Sequence, residues 1–288
     1  MPPRLGVLLA ILFWGVSFVA TRAVVEQISP VTLIFSRAAL GSLLLIAILT
    51  ARGRPWLPPR SAWGSLALMG FVGVAFHQLL QAYALQLTTA VNTGWLIGLT
   101  PVWSAILAAI HLRERFPPRK LLGLTLGFVG AVLVVTRGQL SSGVLGLPST
   151  RGDLMILAST INWAVYTVIG HAALKRLGSL VATTCAMIVG WVLLTGPFLY
   201  TRAWGDFARL DGVGWAAVLF LGICCSGLGY LWWYGALERI EASRVAAFLY
   251  LEPLVTLLAA VLLLGETVTA TTIVGGLLLV GGVALVER

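Results

Sequence analysis

The composition excludes a soluble globular fold. The chain has 288 residues, of which 59% are hydrophobic and 10% charged, and a formal net charge of +9. When its 32 Gly replace its 6 Tyr in the apolar count, the apolar share is roughly 68%, against ~45–50% in soluble domains. Hydrocarbon is therefore the natural solvent for most side chains. The basic residues lie in short clusters between apolar runs, which favours orientation in a bilayer over nucleic-acid binding.

Ten apolar runs follow one another along the chain, and each is long enough to cross a bilayer as a helix. The apolar/polar alternation that a β-barrel strand requires is missing from stretches such as Ala38 to Ala51. The sequence therefore predicts an all-α membrane protein with ten transmembrane helices. The predicted spans are residues 5–25, 31–51, 63–87, 91–111, 119–137, 152–171, 181–201, 213–237, 243–264 and 269–287.

Basic residues predict the orientation of these spans. With a cytoplasmic N-terminus, 13 of the 19 Lys and Arg residues fall on the cytoplasmic side, as the positive-inside rule requires. The first run has only Arg4 before it and no small-residue cleavage pattern, so it is interpreted as an uncleaved span. Arg37 lies within the second span, close enough to its end to snorkel. We expect both termini to be cytoplasmic.

The two halves of the chain share a residue pattern on either side of a Gly/Ser/Pro-rich joint from Ser141 to Thr150. Five spans precede the joint, and a second copy that follows an odd number of spans enters from the opposite face. The sequence thus predicts two inverted five-helix repeats, residues 1–140 and 150–288. Residue pairs at an offset of 152 include Ala84 with Ala236, Pro101 with Pro253, Glu114 with Glu266, Gly123 with Gly275 and Gly130 with Gly282, and Trp14 pairs with Trp163 at an offset of 149.

Inverted repeats favour a transporter, because the two halves can exchange conformations around a central site. A membrane enzyme is the second function class, but signatures such as His-Glu-x-x-His and Gly-x-Ser-x-Gly are missing from the sequence. Cys185, Cys224 and Cys225 lie in apolar runs without metal-ligand spacing. No catalytic residue, cofactor or metal is predicted. A structural or receptor bundle is the third class, and it would not require duplicated halves.

Polar and aromatic side chains inside the spans define the candidate cavity walls, because such groups tend to face a bundle interior or an aqueous cavity. At helical spacing His77, Gln78 and Gln81 share one face, and Tyr230 and Trp233 hold the equivalent positions of the second repeat. For each residue, a hydrogen bond between neighbouring helices is the structural alternative to substrate contact. The candidate substrate-binding residues are Trp14, Ser17, His77, Gln78, Gln81, Asn92, Trp95, Asn162, Trp163, Tyr166, Tyr230, Trp233 and Tyr250.

The charge inventory limits the cargo. Arg37 is the one basic residue placed within a span, which disfavours phosphorylated cargo, and the first span holds no carboxylate for a cationic drug. A small zwitterion or neutral amphiphile with a ring fits aromatic walls and uncharged polar groups better. Glu252 either couples export to the proton gradient or bonds helix donors beside Pro253, and its uncharged equivalent Thr100 favours the structural role.

These motifs resemble the duplicated EamA domain of the drug/metabolite transporter superfamily over essentially the whole chain. The resemblance implies two inverted five-helix repeats and export of small metabolites from the bacterial inner (plasma) membrane. The length and the aromatic-rich interior are similar to those of aromatic amino-acid exporters, so we expect a monomeric exporter of such amphiphiles that works by alternating access. The alternative is a broad-specificity, proton-coupled exporter of drugs or metabolites. The motifs that carry the resemblance are Trp14-Gly15-x-x-Phe18, Arg37, Ala90 with Pro101 and Glu114, and Ala242 with Glu252-Pro253 and Gly265-Glu266.

Overall fold

A computed structural model describes residues 2–53, 57–88, 96–136, 151–264 and 270–287 of the chain. These residues form helices and connecting turns, and no β-strand lies among them. The all-α prediction is therefore confirmed for the described ranges. Two of the predicted site residues, Asn92 and Trp95, lie outside them.

Most helices follow the predicted spans, but the helix in the predicted span 91–111 begins at Thr100, and the first residues of that span lie outside the described ranges. Within the described residues, eight helices are long and apolar enough to cross a membrane, and two further apolar helices are shorter. Helix α9 is built from Ala242–Ala247, Phe248–Leu251 and Glu252–Leu264. The other helices are α1 Pro3–Val25, α2 Pro30–Ala51, α3 Arg60–Leu87, α4 Thr100–His111, α5 Pro118–Thr136, α6 Arg151–Leu177, α7 Ser179–Tyr200, α8 Gly212–Leu237 and α10 Ala270–Glu287.

Local sequence signals explain several helix ends. The hydroxyl of Ser29 accepts a hydrogen bond from the backbone N–H of Thr32 at 3.3 Å, and Pro30 occupies the first turn of α2. Helix α6 runs past its predicted end at residue 171, because Lys175 and its neighbours form helices readily and a positive charge is favourable near a helix C-terminus. Gly178 then ends α6 with φ of 77°, a conformation that glycine adopts without strain.

Helices α3 and α8 each contain a π-helical segment, which the sequence reading did not predict. The segments are Gly70–Phe76 in α3 and Phe220–Gly229 in α8. An offset of 152 places residues 70–76 on residues 222–228, so the two segments occupy equivalent positions in the two halves of the chain. Such segments are rare in helices and occur frequently at functional sites.

The chain folds into two compact units. Unit 1 consists of Met1–Tyr83 and Ile169–Arg239, and unit 2 of Ala84–Val168 and Ile240–Arg288. Each unit therefore combines segments from both halves of the sequence. The repeats at residues 1–140 and 150–288 are sequence units, and their boundaries stay a prediction.

In unit 1, glycines bring α2 and α7 close to the two π-helical segments. A Cβ added at Gly41 of α2 would lie 3.1 Å from the Cβ of Ser226, and a Cβ added at Gly190 of α7 would lie 2.4 Å from the Cβ of Val74. Gly41 and Gly190 are equivalent at the offset of 149, and Val74 and Ser226 at the offset of 152. The same close contact is thus made twice: a glycine from one half of the chain meets a residue of the π-helical segment from the other half in each case.

In unit 2, α5 and α10 pack along each other through glycines. A Cβ added at Gly123 would lie 2.7 Å from the carbonyl oxygen of Gly282, and one added at Gly130 would lie 2.7 Å from that of Gly275. Because the lower-numbered glycine of α5 meets the higher-numbered glycine of α10, the two helices run antiparallel. These glycines therefore form close-packing surfaces between two helices of one chain.

Candidate functional site

Four of the predicted site residues meet in unit 1. The ring centroid of Trp14 on α1 lies 5.3 Å from that of Trp233 and 5.9 Å from that of Tyr230, both on α8. The indole N–H of Trp14 donates to the carbonyl oxygen of Cys225 at 3.1 Å. Gln78 of α3 joins them through Tyr230. We call Trp14, Gln78, Tyr230 and Trp233 the Trp14 cluster.

The hydroxyl of Tyr230 is held between two groups of α3. It accepts a hydrogen bond from the Nε2 atom of Gln78 at 2.7 Å and donates one to the carbonyl oxygen of Gly73 at 3.0 Å. Gly73 lies within the π-helical segment of α3. Gln78 and Tyr230 are 152 residues apart, so the two equivalent positions of the repeats touch each other. Their interaction is a direct bond between helices, which was the structural alternative for these residues.

The polar residues that were predicted to share one face of α3 differ in their burial and in their contacts. His77 is buried, Gln81 is half-buried, and Gln78 is the member bonded to Tyr230. The hydroxyl of Ser17 is directed to its own helix, since it donates to the carbonyl oxygen of Trp14 at 2.7 Å. The structure therefore places these residues in unit 1, and a hydrogen bond to Tyr230 brings Gln78 into the Trp14 cluster.

Arg37 is the residue whose position the sequence reading predicted wrongly. It does not snorkel to the end of α2: its side chain is buried, with the residue 7% exposed, and its Nε donates to the hydroxyl of Ser226 at 3.3 Å. It lies seven residues after Pro30, about 10 Å into the helix at ~1.5 Å per residue. Packing against the π-helical segment of α8 keeps the guanidinium inside. A charged residue within a span is a functional candidate by default, so the position of Arg37 in the second predicted span could have identified it as one.

A small cavity opens beside Arg37 within unit 1. The centre of a water molecule can reach about 10 Å³ of it, which is roughly the room that one water needs. It is too small for an amino acid in the state described. Its polar lining comes from an arginine, an amide and two hydroxyl groups. The residues that line it are Ile34, Arg37, Ala38, Val74, Gln78, Met187, Ser226 and Tyr230.

The remaining predicted residues belong to unit 2. Trp163 and Tyr166 of α6 are buried and pack edge to face, with ring centroids 5.5 Å apart, and Asn162 beside them is half-buried. Tyr250 is buried in α9, where a Cβ added at Gly127 of α5 would lie 2.5 Å from its ring. Glu252 follows on α9 and is also buried. The predicted site residues are thus divided between the two units.

Unit 2 also holds a charged network that the sequence reading missed. The Nζ atom of Lys120 lies 3.2 Å from a carboxylate oxygen of Glu114 and 2.9 Å from one of Glu241. Glu114 also accepts hydrogen bonds from the backbone N–H and the hydroxyl of Ser243, near the start of α9. Glu114 is therefore a boundary and capping residue, since it follows the end of α4 and accepts from the start of α9. Burial opposes ionisation of Glu241, but Lys120 and Arg244 outweigh it and lower the pKa of this carboxyl group.

The described residues contain no group of three or more His, Cys, Asp or Glu side chains placed to hold a metal ion. What they do contain is a set of apolar spanning helices, paired glycine contacts at equivalent positions and a buried aromatic and polar cluster. This combination defines a multi-span membrane protein with polar groups inside its helical units.

The EamA-like transporter family matches the chain twice, over residues 2–136 and 150–288. The chain belongs to this family, within the drug/metabolite transporter superfamily, and is a membrane transporter. Its relatives include an uncharacterized transporter of Archaeoglobus fulgidus, 32% identical over 96% of this chain and 94% of the relative. A probable terminal-alkyne amino-acid exporter of Streptantibioticus cattleyicolor is 28% identical over 98% of this chain and 92% of its own length.

A solved structure shows that the fold is shared beyond these sequences. It superposes with a TM-score of 0.80 at 22% identity, and the match covers 98% of this chain and 95% of that one. At 22% identity this similarity is evidence for the fold alone.

Proposed function

We propose that this transporter exports aromatic amino acids and similar small amphiphilic metabolites. The observation that carries the proposal is the Trp14 cluster, where aromatic faces and hydrogen-bonding groups meet in the interior of unit 1. Aromatic rings stack on a cargo ring, while amide and hydroxyl groups recognise its polar end. The relative from Streptantibioticus, a probable terminal-alkyne amino-acid exporter, supports amino-acid cargo. The length and aromatic-rich interior that the chain shares with aromatic amino-acid exporters support a ring in that cargo.

We propose alternating access between two inverted repeats as the mechanism. The support comes from contacts that recur between equivalent residues: Gly41 with Ser226 and Gly190 with Val74 in unit 1, and the paired glycines of α5 and α10 in unit 2. Repeated contacts of this kind are expected when two copies of one fold are related by a two-fold axis, and antiparallel α5 and α10 suit inverted insertion. Ten crossings, a monomeric state and both termini in the cytoplasm of a bacterial inner membrane belong to the same proposal.

In this mechanism, cargo binding requires unit 1 to widen. The cavity beside Arg37 has room for one water molecule, so a ring enters only if α2, α3 or α8 moves. The two π-helical segments line this region, and helices bend most readily at such segments. They are the proposed sites of the movement.

Uptake of labelled Phe or Trp into liposomes that contain the purified protein tests the proposal. We expect uptake above that of protein-free liposomes, with inhibition by aromatic amino acids that exceeds inhibition by Ala, Lys or organic cations. Equal inhibition by every compound would reject aromatic selectivity and favour the broad-specificity exporter of drugs or metabolites.

The second candidate function is a broad-specificity, proton-coupled exporter of drugs or metabolites. It is supported by Glu252, a residue of α9 that is 6% exposed. A buried carboxyl group within a span is a candidate proton carrier. If it couples export to protons, Glu252→Gln abolishes the response of uptake to an imposed pH gradient while leaving exchange at equal pH intact. An unchanged response in this variant, with normal folded yield, would assign Glu252 a structural role.

A further inference from the structure

Arg37 is a buried positive charge for which the described part of the chain supplies no carboxylate partner. No described Asp or Glu forms an ion pair with it, and the hydroxyl of Ser226 is the described group that accepts from its Nε atom. A guanidinium carries five N–H donors, and no described protein group accepts a hydrogen bond from Nη1 or Nη2. Arg37 also lines the cavity of unit 1. The cavity therefore offers a place where a bound molecule could accept hydrogen bonds from these donors.

A charge in this position is costly unless something neutralises it. Moving an unpaired ion from water into a low-dielectric interior opposes folding strongly, and charged groups in spans usually pair or line a substrate path. The other polar groups of the lining offer little compensation. The hydroxyl of Tyr230 is already occupied by Gln78 and Gly73, and Ser226 is neutral. Among the described residues, the cavity lining thus leaves the charge of Arg37 open to an anion from outside the chain.

The chemistry of the lining favours a carboxylate as that anion. A single guanidinium matches a planar carboxylate through two parallel hydrogen bonds, whereas a phosphate usually draws several basic groups. The cavity shares Gln78 and Tyr230 with the Trp14 cluster. A ring that stacks in the Trp14 cluster would therefore have its polar end near Arg37.

We infer that Arg37 binds the carboxylate of the transported molecule, with Ser226 holding the guanidinium in place. The inference rests on the proposed function, and it narrows the cargo to molecules that carry both a ring and a carboxylate. It also assigns the bonded pair of Arg37 and Ser226 a role in cargo selection. The competing role for Arg37 is a purely structural tie between α2 and α8.

Competition against labelled Phe uptake separates these roles. The three probes are L-phenylalanine, L-phenylalaninamide, which lacks the carboxylate, and 3-phenylpropionate, which lacks the ammonium group. For the wild type we expect both carboxylates to compete about 10- to 100-fold better than the amide, the range for a buried charge-assisted hydrogen bond. In Arg37→Gln we expect this preference to disappear, with the affinity for the amide unchanged.

Two further variants keep the inference open to rejection if Arg37→Gln folds poorly. Arg37→Lys retains the positive charge, so we expect it to keep the carboxylate preference with several-fold weaker competition by Phe. Ser226→Ala removes the acceptor of the Nε bond and should weaken Phe competition by a few fold. Arg209→Gln is the matched control, because the side chain of Arg209 is 72% exposed, and it should behave as the wild type.

Some outcomes would overturn the inference while leaving the proposed function intact. One is a wild type that transports Phe but is inhibited equally by the acid and the amide. Another is an Arg37→Lys variant, folded as the wild type, in which competition by the acid and the amide weakens equally. Failure of the proposed function can be distinguished from these outcomes, because liposomes that contain the wild-type protein would then take up neither Phe nor Trp. In that case a thermal shift of the detergent-solubilised wild type by 3-phenylpropionate would still support the carboxylate site if it were smaller in Arg37→Lys and Ser226→Ala and unchanged in Arg209→Gln. The absence of a shift in the wild type would reject the site.

Discussion

Unit 1 and unit 2 each bury a basic side chain, but they surround it differently. In unit 1, Arg37 contacts the hydroxyl of Ser226 beside a cavity, and no described carboxylate is paired with it. In unit 2, Lys120 is 3% exposed and lies between the carboxylates of Glu114 and Glu241. A paired buried charge fixes the helices that carry its partners, whereas an unpaired one leaves its binding capacity for another molecule. The comparison supports the proposal that unit 1 recognises the cargo, whereas the paired charges of unit 2 stabilise its fold.

Substitution of Gly130 should disrupt the packing of α5 against α10 in unit 2 and cause the largest loss of stability. A Cβ at this position would lie 2.7 Å from a backbone carbonyl oxygen of α10, so Gly130→Leu cannot be accommodated without separating α5 and α10. We expect a loss of about 3 kcal/mol or more and little folded protein by fluorescence-detected size exclusion. Gly281→Leu is the control, because a Cβ there meets nothing within 4 Å. Equal folded yields for the two variants would contradict the assignment.

Removal of the charge of Lys120 should weaken the same unit by a smaller amount. Lys120→Met leaves Glu114 buried without its cation, and the half-exposed Glu241 loses less because water reaches it. We expect about 2 kcal/mol of destabilisation, below the ~3–5 kcal/mol of a fully buried broken pair. A melting curve in detergent measures it, with Lys175→Met on the exposed face of α6 as control. A melting temperature unchanged from that of the wild type would show that the charged network does not stabilise unit 2.

Tyr230→Phe tests whether unit 1 recognises cargo. The variant keeps the ring but leaves the amide of Gln78 and the carbonyl oxygen of Gly73 without this partner. We expect about 1–2 kcal/mol of lost stability and a fall in Phe uptake of about tenfold. Tyr200→Phe, at a residue that is 91% exposed, is the control. Lost stability with normal uptake per folded molecule would make the bond purely structural.

The smallest effect is expected at Asp206, in the turn that caps α2 of unit 1. Burial opposes ionisation of Asp206, but hydrogen bonds from Thr32 and Ser29 and the charge of Arg209 outweigh it and lower its pKa. The stabilisation is therefore present above the ordinary aspartate pKa of ~3.9 and is lost as the pH falls through the lowered folded value. Asp206→Asn should remove at most about 1 kcal/mol of this acid-sensitive stability. A variant with the same melting profile from pH 3 to 6 as the wild type would contradict the prediction.

Much of the fold could be predicted because hydrocarbon solvent leaves the chain few choices. Apolar runs that must satisfy their own backbone become helices, so span positions follow from composition and length alone. Helix ends were predictable where a cap such as Ser29-Pro30 is local. The π-helical segments were not, because they depend on which glycines of α3 and α8 face α7 and α2.

The site was predictable to the extent that it follows helical spacing and the repeat. Both rules selected Gln78 and Tyr230, which the structure joins by a hydrogen bond. Neither rule reports what a side chain meets on another helix, so the burial of Arg37 against Ser226 was missed. The Lys120 network was missed for the same reason, since Glu241 lies 121 residues from Lys120 in the sequence.

The bond between Gln78 and Tyr230 has a consequence for how a doubled gene can evolve. Where two copies of one ancestral segment meet at the same position, identical residues face each other, and a bond between an amide and a phenol arises only after the copies diverge. An amide in one copy and a phenol in the other make the two sides of the meeting point chemically different. Exchanging the two residues, as Gln78→Tyr with Tyr230→Gln, would ask whether function depends on the bond or on which copy carries the ring.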